Sequence, residues 1–364
     1  MEWHIWDFPD SIYLKFNEEY RRKLFEKLHK HFGSHRNIGK GLGFHYTTIV
    51  SCLKSGYDSG GFQTSTNIKI IKRILEIFPE EKQELEKNVI AYRCRAGLSV
   101  YNPNLPIKET PEIYSIICHV IADGSAGKGK TPYYSNSLKE LLNEFRRNLQ
   151  IFGRVKTNPY FYRKSGVTYL MFPKAITDIL SHVFNVKFTF PNKLPERLFE
   201  ASADCIKAAI RAMFDDEGTV STLFAITQKS RNILLQLKKI LLSFEIETGN
   251  VTYSEPRGCY NLSVLTKSYD NFHKLIGLTS IDKIYNLKEK VNKRNYYIES
   301  LLETKIYDLL LNSSPLTKHQ IAKEFKITPG NAVACLRTLE KKSKVKRKFV
   351  GINKPYLWYL DLRT

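Results

Sequence analysis

The chain has 364 residues, with 57 Lys and Arg against 36 Asp and Glu, and its formal net charge is +21. Hydrophobic residues make up 42% and aromatic residues 12%, enough for folded cores and too much for a disordered chain, and the length suggests two or three domains. No apolar run approaches the roughly 18 to 20 residues that span a bilayer, so no membrane segment is expected.

So basic a field favours a polyanion as partner, nucleic acid ahead of an anionic membrane surface. Cys52, Cys94, Cys118, Cys205, Cys259 and Cys335 stand singly, with no C-x-x-C pair. That pattern argues against a zinc ribbon or a secreted disulfide framework and for reduced thiols. The first ten residues, MEWHIWDFPD, do not resemble a signal peptide, and a cytoplasmic, nucleic-acid-associated protein is expected.

Residues 1–104 read as an all-α domain of helix-turn-helix type. The stretch 18–32 has apolar residues at helical spacing. Then come NIGKGLG (37–43), FHYTTIVSCLKSG (44–56) and TSTNIKIIKRILEIF (64–78). A short helix, a glycine turn and a second short helix would begin the recognition helix at His45, Tyr46, Thr47 and Thr48.

Residues 105–297 repeat themselves. An apolar helix ends at Ala122-Asp123-Gly124 and another at Asp216-Glu217-Gly218. Each is followed by a strand (YYSNS, LFAITQKS), a helix, a two-stranded hairpin and a last amphipathic helix. Asp123 and Lys174, which starts that last helix, are 51 residues apart; Glu217 and Lys267 are 50 apart. The fold class is therefore α+β, built on tandem pseudo-symmetric αββαββα units. If the two acid-ended helices pack side by side, Asp123 and Glu217 come together as like charges that a divalent cation would reconcile. Oxygen-only ligation suits Mg²⁺, with Mn²⁺ as a substitute. Gly124 and Gly218 would permit close helix approach and the turn into the next strand. Of the three acids ending the second helix, Asp215 is expected to sit behind the metal site and Asp216 to be merely solvated. His119 is read as a satisfied interface residue. Gln228 and Lys229 are expected on a strand facing DNA, and Arg163 and Lys164 on an aromatic-basic hairpin (160–170) that tracks the backbone.

Residues 298–364 read as a winged helix. The segments are a helix through Ile306 to Leu311, SPLTKHQIAKEF, a helix opened by Pro329 with Ala332, Val333, Leu336 and Leu339 on its apolar face, and two extended stretches around a Gly-Ile-Asn-Lys-Pro turn. Between Asn312 and Thr364 there are 12 Lys and Arg against 3 Asp and Glu. Lys346, Arg347, Lys348 and Lys354 on this ribbon are expected to meet phosphate.

The stretches IICHVIADG (116–124) and IRAMFDDEG (210–218) resemble the paired motifs of the LAGLIDADG homing endonucleases, and the likeness extends over roughly residues 110 to 295. It implies a saddle of two mixed sheets gripping duplex DNA, with the motif helices at the interface. It also implies metal binding by Asp123 and Glu217, and a basic residue in each half that supports the transition state. Lys283 fits that place in the second half, while Lys193 or Lys187 is a weaker fit in the first. The first motif departs from the family at Cys118, His119 and Ile121.

The leading expectation is a Mg²⁺-dependent, site-specific, monomeric double-stranded DNA endonuclease. The alternatives are a DNA-binding transcriptional regulator that does not cut and an intron maturase whose partner is RNA. With no nucleophilic Cys or Ser at its start and no His-Asn at its end, the chain is expected to be free-standing rather than an intein.

Overall fold

A computed structural model describes residues 1–54, 65–127, 129–298, 300–313, 315–349 and 356–360. The chain forms two compact units, Met1–Asn286 and Leu287–Thr364. Among the described residues no helix is long and apolar enough to cross a membrane. All six cysteines carry free thiols.

The N-terminal segment is mixed rather than all-helical. Residues Ile12–Phe16 alternate buried and half-buried, the period-2 pattern of a strand covered on one face. They pair antiparallel with Val89–Cys94 and Thr66–Asn67. Val100–Tyr101 then joins Val89–Cys94, and Arg154–Val155 from the central segment closes the five-stranded sheet. The helical expectation fails here because a five-residue strand beside a strongly amphipathic helix leaves little periodic signal of its own. Since the central segment supplies the last strand, the N-terminal segment and the repeats share one compact unit.

Packed beside this sheet are the helices Glu18–Phe32 and His35–Leu42, and a short helix Tyr46–Ile49 that runs into a π turn at Val50–Lys54. Asn17 and Ser34 cap the first two by accepting backbone N–H bonds, and Gly43 turns the chain at φ +74°. A Cβ on Gly39 would lie 2.7 Å from the Phe44 carbonyl and 2.9 Å from the Tyr46 nitrogen, so glycine lets the two short helices meet.

The repeat follows the same path twice. In the first half, helix Pro111–Asp123 leads through strands Gly124–Ser125 and Tyr133–Asn136 to helix Lys139–Asn148. Strands Asn158–Tyr162 and Val167–Met171 and helix Lys174–Phe184 follow. In the second, helix Ala203–Glu217 leads through Gly218–Val220 and Phe224–Gln228 to helix Arg231–Ser243, then to Thr252–Ser254, Cys259–Ser263 and helix Tyr269–Leu275. Each half has a four-stranded antiparallel sheet in which the fourth strand lies between the second and third. The motif helices, Pro111–Asp123 and Ala203–Glu217, pack along each other more extensively than any other pair of elements. Every residue from Ile113 to Ile121 is buried, as expected of a helix apolar on all sides.

The second unit holds helices Ser300–Asn312, Lys318–Glu324 and Pro329–Lys341. Its three-stranded sheet runs in the order Leu316–Thr317, Leu357–Leu360, Val345–Lys348. Ile306, Leu310, Ile321, Leu336, Leu339 and Trp358 meet in its core, so each helix and the sheet contribute to one apolar centre. Thr317 and Gln320 form a reciprocal capping box, and Thr328 caps the helix that Pro329 opens. The turn 351–355 expected between the last two strands, Lys354 included, lies outside the described residues.

Candidate active site at the motif helix ends

Three acids end the second motif helix, where the macrodipole opposes them, and each is held by a different partner. The Asp215 carboxylate accepts from the backbone N–H of Thr279 (2.9 and 3.0 Å) and of Ser280 (3.0 Å), just ahead of helix Ile281–Ile298. The Asp216 side chain is 0% exposed, which corrects the expectation that it is solvated. It accepts from His119 Nδ1 (2.8 Å) across the helix interface, from the Tyr134 hydroxyl (2.6 Å) and from Asn136 Nδ2 (3.2 Å). Glu217 Oε1 accepts from Gln228 Nε2 (2.9 Å). Lys283 Nζ donates to the carbonyls of Phe214 (3.1 Å) and Asp215, placing a cation on the negative end of the helix.

At both glycines the turn out of the helix leaves no room for a Cβ. A Cβ on Gly124 would lie 2.6 Å from Val120 Cα and 3.0 Å from the Tyr133 carbonyl, and one on Gly218 would strike the Phe214 carbonyl. In both, the obstruction is the last turn of the same helix, with the adjoining strand at Gly124.

Like charges crowd this end. Burial, then the Asp123 and Asp216 carboxylates, push Glu217 up to about 8 against the pull of Lys283 and Lys229. Burial and Asp216 push Asp123 up to about 6, opposed by His119 and Lys283. Burial pulls His119 down, but the Asp216 carboxylate outweighs it and the imidazole lies above its ordinary value. Burial holds Lys283 below the usual lysine range. Raised carboxylates beside a depressed lysine are the mark of charges crowded together in a buried place.

Two grooves open here. Asp123, Asn136, Asp216 and Lys283 line one, and Gly124, Phe190, Glu217, Gln228 and Lys229 line the other. Gln228 is only 9% exposed and donates to Glu217 where it lines the groove; Lys229 beside it is exposed. Lys193 pairs with Glu196 at 2.5 Å on the surface, Lys187 is exposed, and neither lines either groove. Arg163 and Lys164 are exposed at the hairpin joining Asn158–Tyr162 to Val167–Met171, beside exposed Tyr160, Phe161 and Tyr162. His45, Tyr46, Thr47 and Thr48 are exposed, with His45 Nδ1 2.7 Å from the Thr47 hydroxyl. Lys346, Arg347 and Lys348 are exposed on an edge strand, where Arg347 also pairs with Glu340 at 3.1 Å.

Tyr134 and Asn136 carry no sequence signal as site residues beyond their place in YYSNS. One is available all the same: Asn136 and Gln228 each stand three residues before a helix start, Lys139 and Arg231, so the repeat equates them.

A family model described as a LAGLIDADG-like domain matches residues 204–277. This part of the chain is LAGLIDADG-like. The glutamine–fructose-6-phosphate aminotransferase (isomerizing) of Methanocaldococcus jannaschii is 26% identical over 282 residues, 71% of this chain. The chain spans about a quarter (24%) of the length of that protein. Among solved structures, I-DmoI in complex with DNA and Mn superposes with a TM-score of 0.34 at 14% identity, over 46% of this chain and 96% of that one. Full-length DUF199/WhiA from Thermatoga maritima superposes with a TM-score of 0.36 at 12% identity, over 66% and 93%. Overlaps of that size describe a likeness and nothing about activity.

Proposed function

We propose that the chain grips duplex DNA with its two four-stranded sheets and hydrolyses phosphodiester bonds with a divalent cation held by Asp123 and Glu217. The observation that carries this is the crowding of buried carboxylates at the paired helix ends: burial, Asp123 and Asp216 push Glu217 up to about 8, and burial and Asp216 push Asp123 up to about 6. The donor set fits Mg²⁺ or Mn²⁺: two carboxylates suffice for an ion that keeps waters and takes its other ligands from phosphate. Among the described residues no cluster of three or more His, Cys, Asp or Glu offers a closed protein cage. When bound, the cation activates water and stabilises the leaving oxygen. Gln228 fixes the Glu217 carboxylate, and Lys283 brings positive charge to the groove of Asp123, where phosphate charge would develop. The surplus charge of +21 favours the polyanion.

The test is incubation of the full chain with a duplex library and Mg²⁺ or Mn²⁺, in parallel with Asp123→Asn and Glu217→Gln. Metal-dependent cuts lost in both variants are expected. Tight binding without cuts under either metal would transfer the reading to a regulator that binds and does not cleave. One observation favours that second reading: Lys283 of the second half lines the groove of Asp123, while among the described residues no lysine of the first half lines the groove of Glu217, whose cation is Lys229.

A further inference from the structure

Phe190 is 93% exposed and adopts φ +49°, a left-handed conformation that is strained for an aromatic residue. Two features fix its place. The linker is held on the second half, where Leu194 N–H donates to Gln236 Oε1 at 2.8 Å and the Ser230 hydroxyl donates to the Asn192 carbonyl at 2.9 Å. Phe190 also lines the groove of Glu217, with Gln228 and Lys229.

The repeat gives this position a meaning. The grooves are related by the duplication, Asp123 with Glu217 and Asn136 with Gln228. In both halves the chain leaves the last helix through a left-handed residue, Asn185 at φ +51° and Gly277 at φ +69°. Lys283 follows Gly277 by six residues and Phe190 follows Asn185 by five, so Phe190 and Pro191 occupy the corresponding stretch of linker. Lys283 reaches the groove of Asp123 from the second half, whereas the matching stretch of the first half brings an exposed aromatic ring to the groove of Glu217, beside Lys229.

We propose that Phe190 is a wedge that inserts between base pairs of a bound duplex beside the Glu217 groove. This rests on the DNA-binding reading above. An exposed ring next to Lys229 on a strongly basic chain suits a base stack flanked by phosphates, and apolar wedges of this kind unstack and kink duplexes. The strained backbone keeps the ring outside the protein core, ready for a partner.

The test uses the full chain and a duplex it selects from a random-sequence pool, with 2-aminopurine placed in turn at the central positions. The wild type should raise fluorescence at one step. Phe190→Asn, which suits the left-handed backbone, should abolish that rise and weaken binding about ten-fold, with the melting temperature unchanged or raised as backbone strain is relieved and the salt dependence unchanged. Phe190→Trp should retain binding. Unchanged fluorescence and affinity in Phe190→Asn would overturn the wedge and leave DNA binding standing. A lowered melting temperature in Phe190→Asn would make the residue structural and overturn the wedge as well. Failure of the wild type to retain any duplex would remove the DNA-binding reading and the wedge together.

Discussion

Asp216 shows how much a single buried carboxylate can carry. Its side chain has no exposure and accepts from His119 Nδ1, the Tyr134 hydroxyl and Asn136 Nδ2, on two other elements, while His119 Nε2 is buried without a partner. Removing one member of a buried ion pair strands the other, at a cost of about 3–5 kcal/mol. Asp216→Ala should therefore destabilise strongly in chemical denaturation, whereas His119→Leu with Asp216→Ala, an apolar exchange of both partners, should recover more than half of the loss. Additive effects would show that the two residues are not coupled. The neighbouring acids respond to pH instead. An acid whose folded pKa lies above its unfolded value stabilises the fold while protonated, and that contribution is lost as pH rises through the folded pKa. For Glu217 the window runs from the ordinary 4.5 to about 8, and for Asp123 from 3.8 to about 6. Without metal, the melting temperature of the wild type should fall relative to Glu217→Gln between roughly pH 5 and pH 8.5. Parallel curves for the two proteins would refute the assignment.

At the scale of elements, Asp215 links the second motif helix to the helix that carries Lys283. Its bonds to Thr279 and Ser280 satisfy backbone donors ahead of helix Ile281–Ile298. Asp215→Ala should cost about 1–3 kcal/mol in stability and lower any metal-dependent cleavage by displacing Lys283, while Asp215→Asn should retain part of both. Equal cleavage in Asp215→Ala and wild type would separate Lys283 from the chemistry. The repeat is legible in the sequence because its motifs recur with nearly constant spacing. The N-terminal sheet is not, since Arg154–Val155 finds Val100–Tyr101 only in three dimensions. The same holds for His119 and Asp216, 97 residues apart, whose pairing depends on the packing of two helices rather than on either sequence. Asp216 reads as solvated because a polar residue at a helix end usually is; only the first half's tyrosine and asparagine, closing over it, reverse that.

Across the whole molecule, the surplus charge is densest in a part of the chain other than the one that holds the candidate chemistry. The carboxylates and Lys283 lie in the unit Met1–Asn286, while residues 312–364 carry 12 Lys and Arg against 3 Asp and Glu. If the second unit contributes by neutralising phosphates, its lysines should set the salt dependence of binding and leave the hydrolytic step alone. Each phosphate no longer neutralised reduces the slope of log affinity against log salt by about 0.9. Replacing Lys346 and Lys348, both exposed on strand Val345–Lys348, by glutamine should flatten that slope by up to about 1.8, with single-turnover cleavage at saturating protein unchanged. Lys283→Met should do the reverse, lowering cleavage while the slope stays as in the wild type. A slope that Lys346→Gln and Lys348→Gln leave untouched would mean that the second unit meets something other than the DNA backbone, and its basic ribbon would then have to be explained by a different partner.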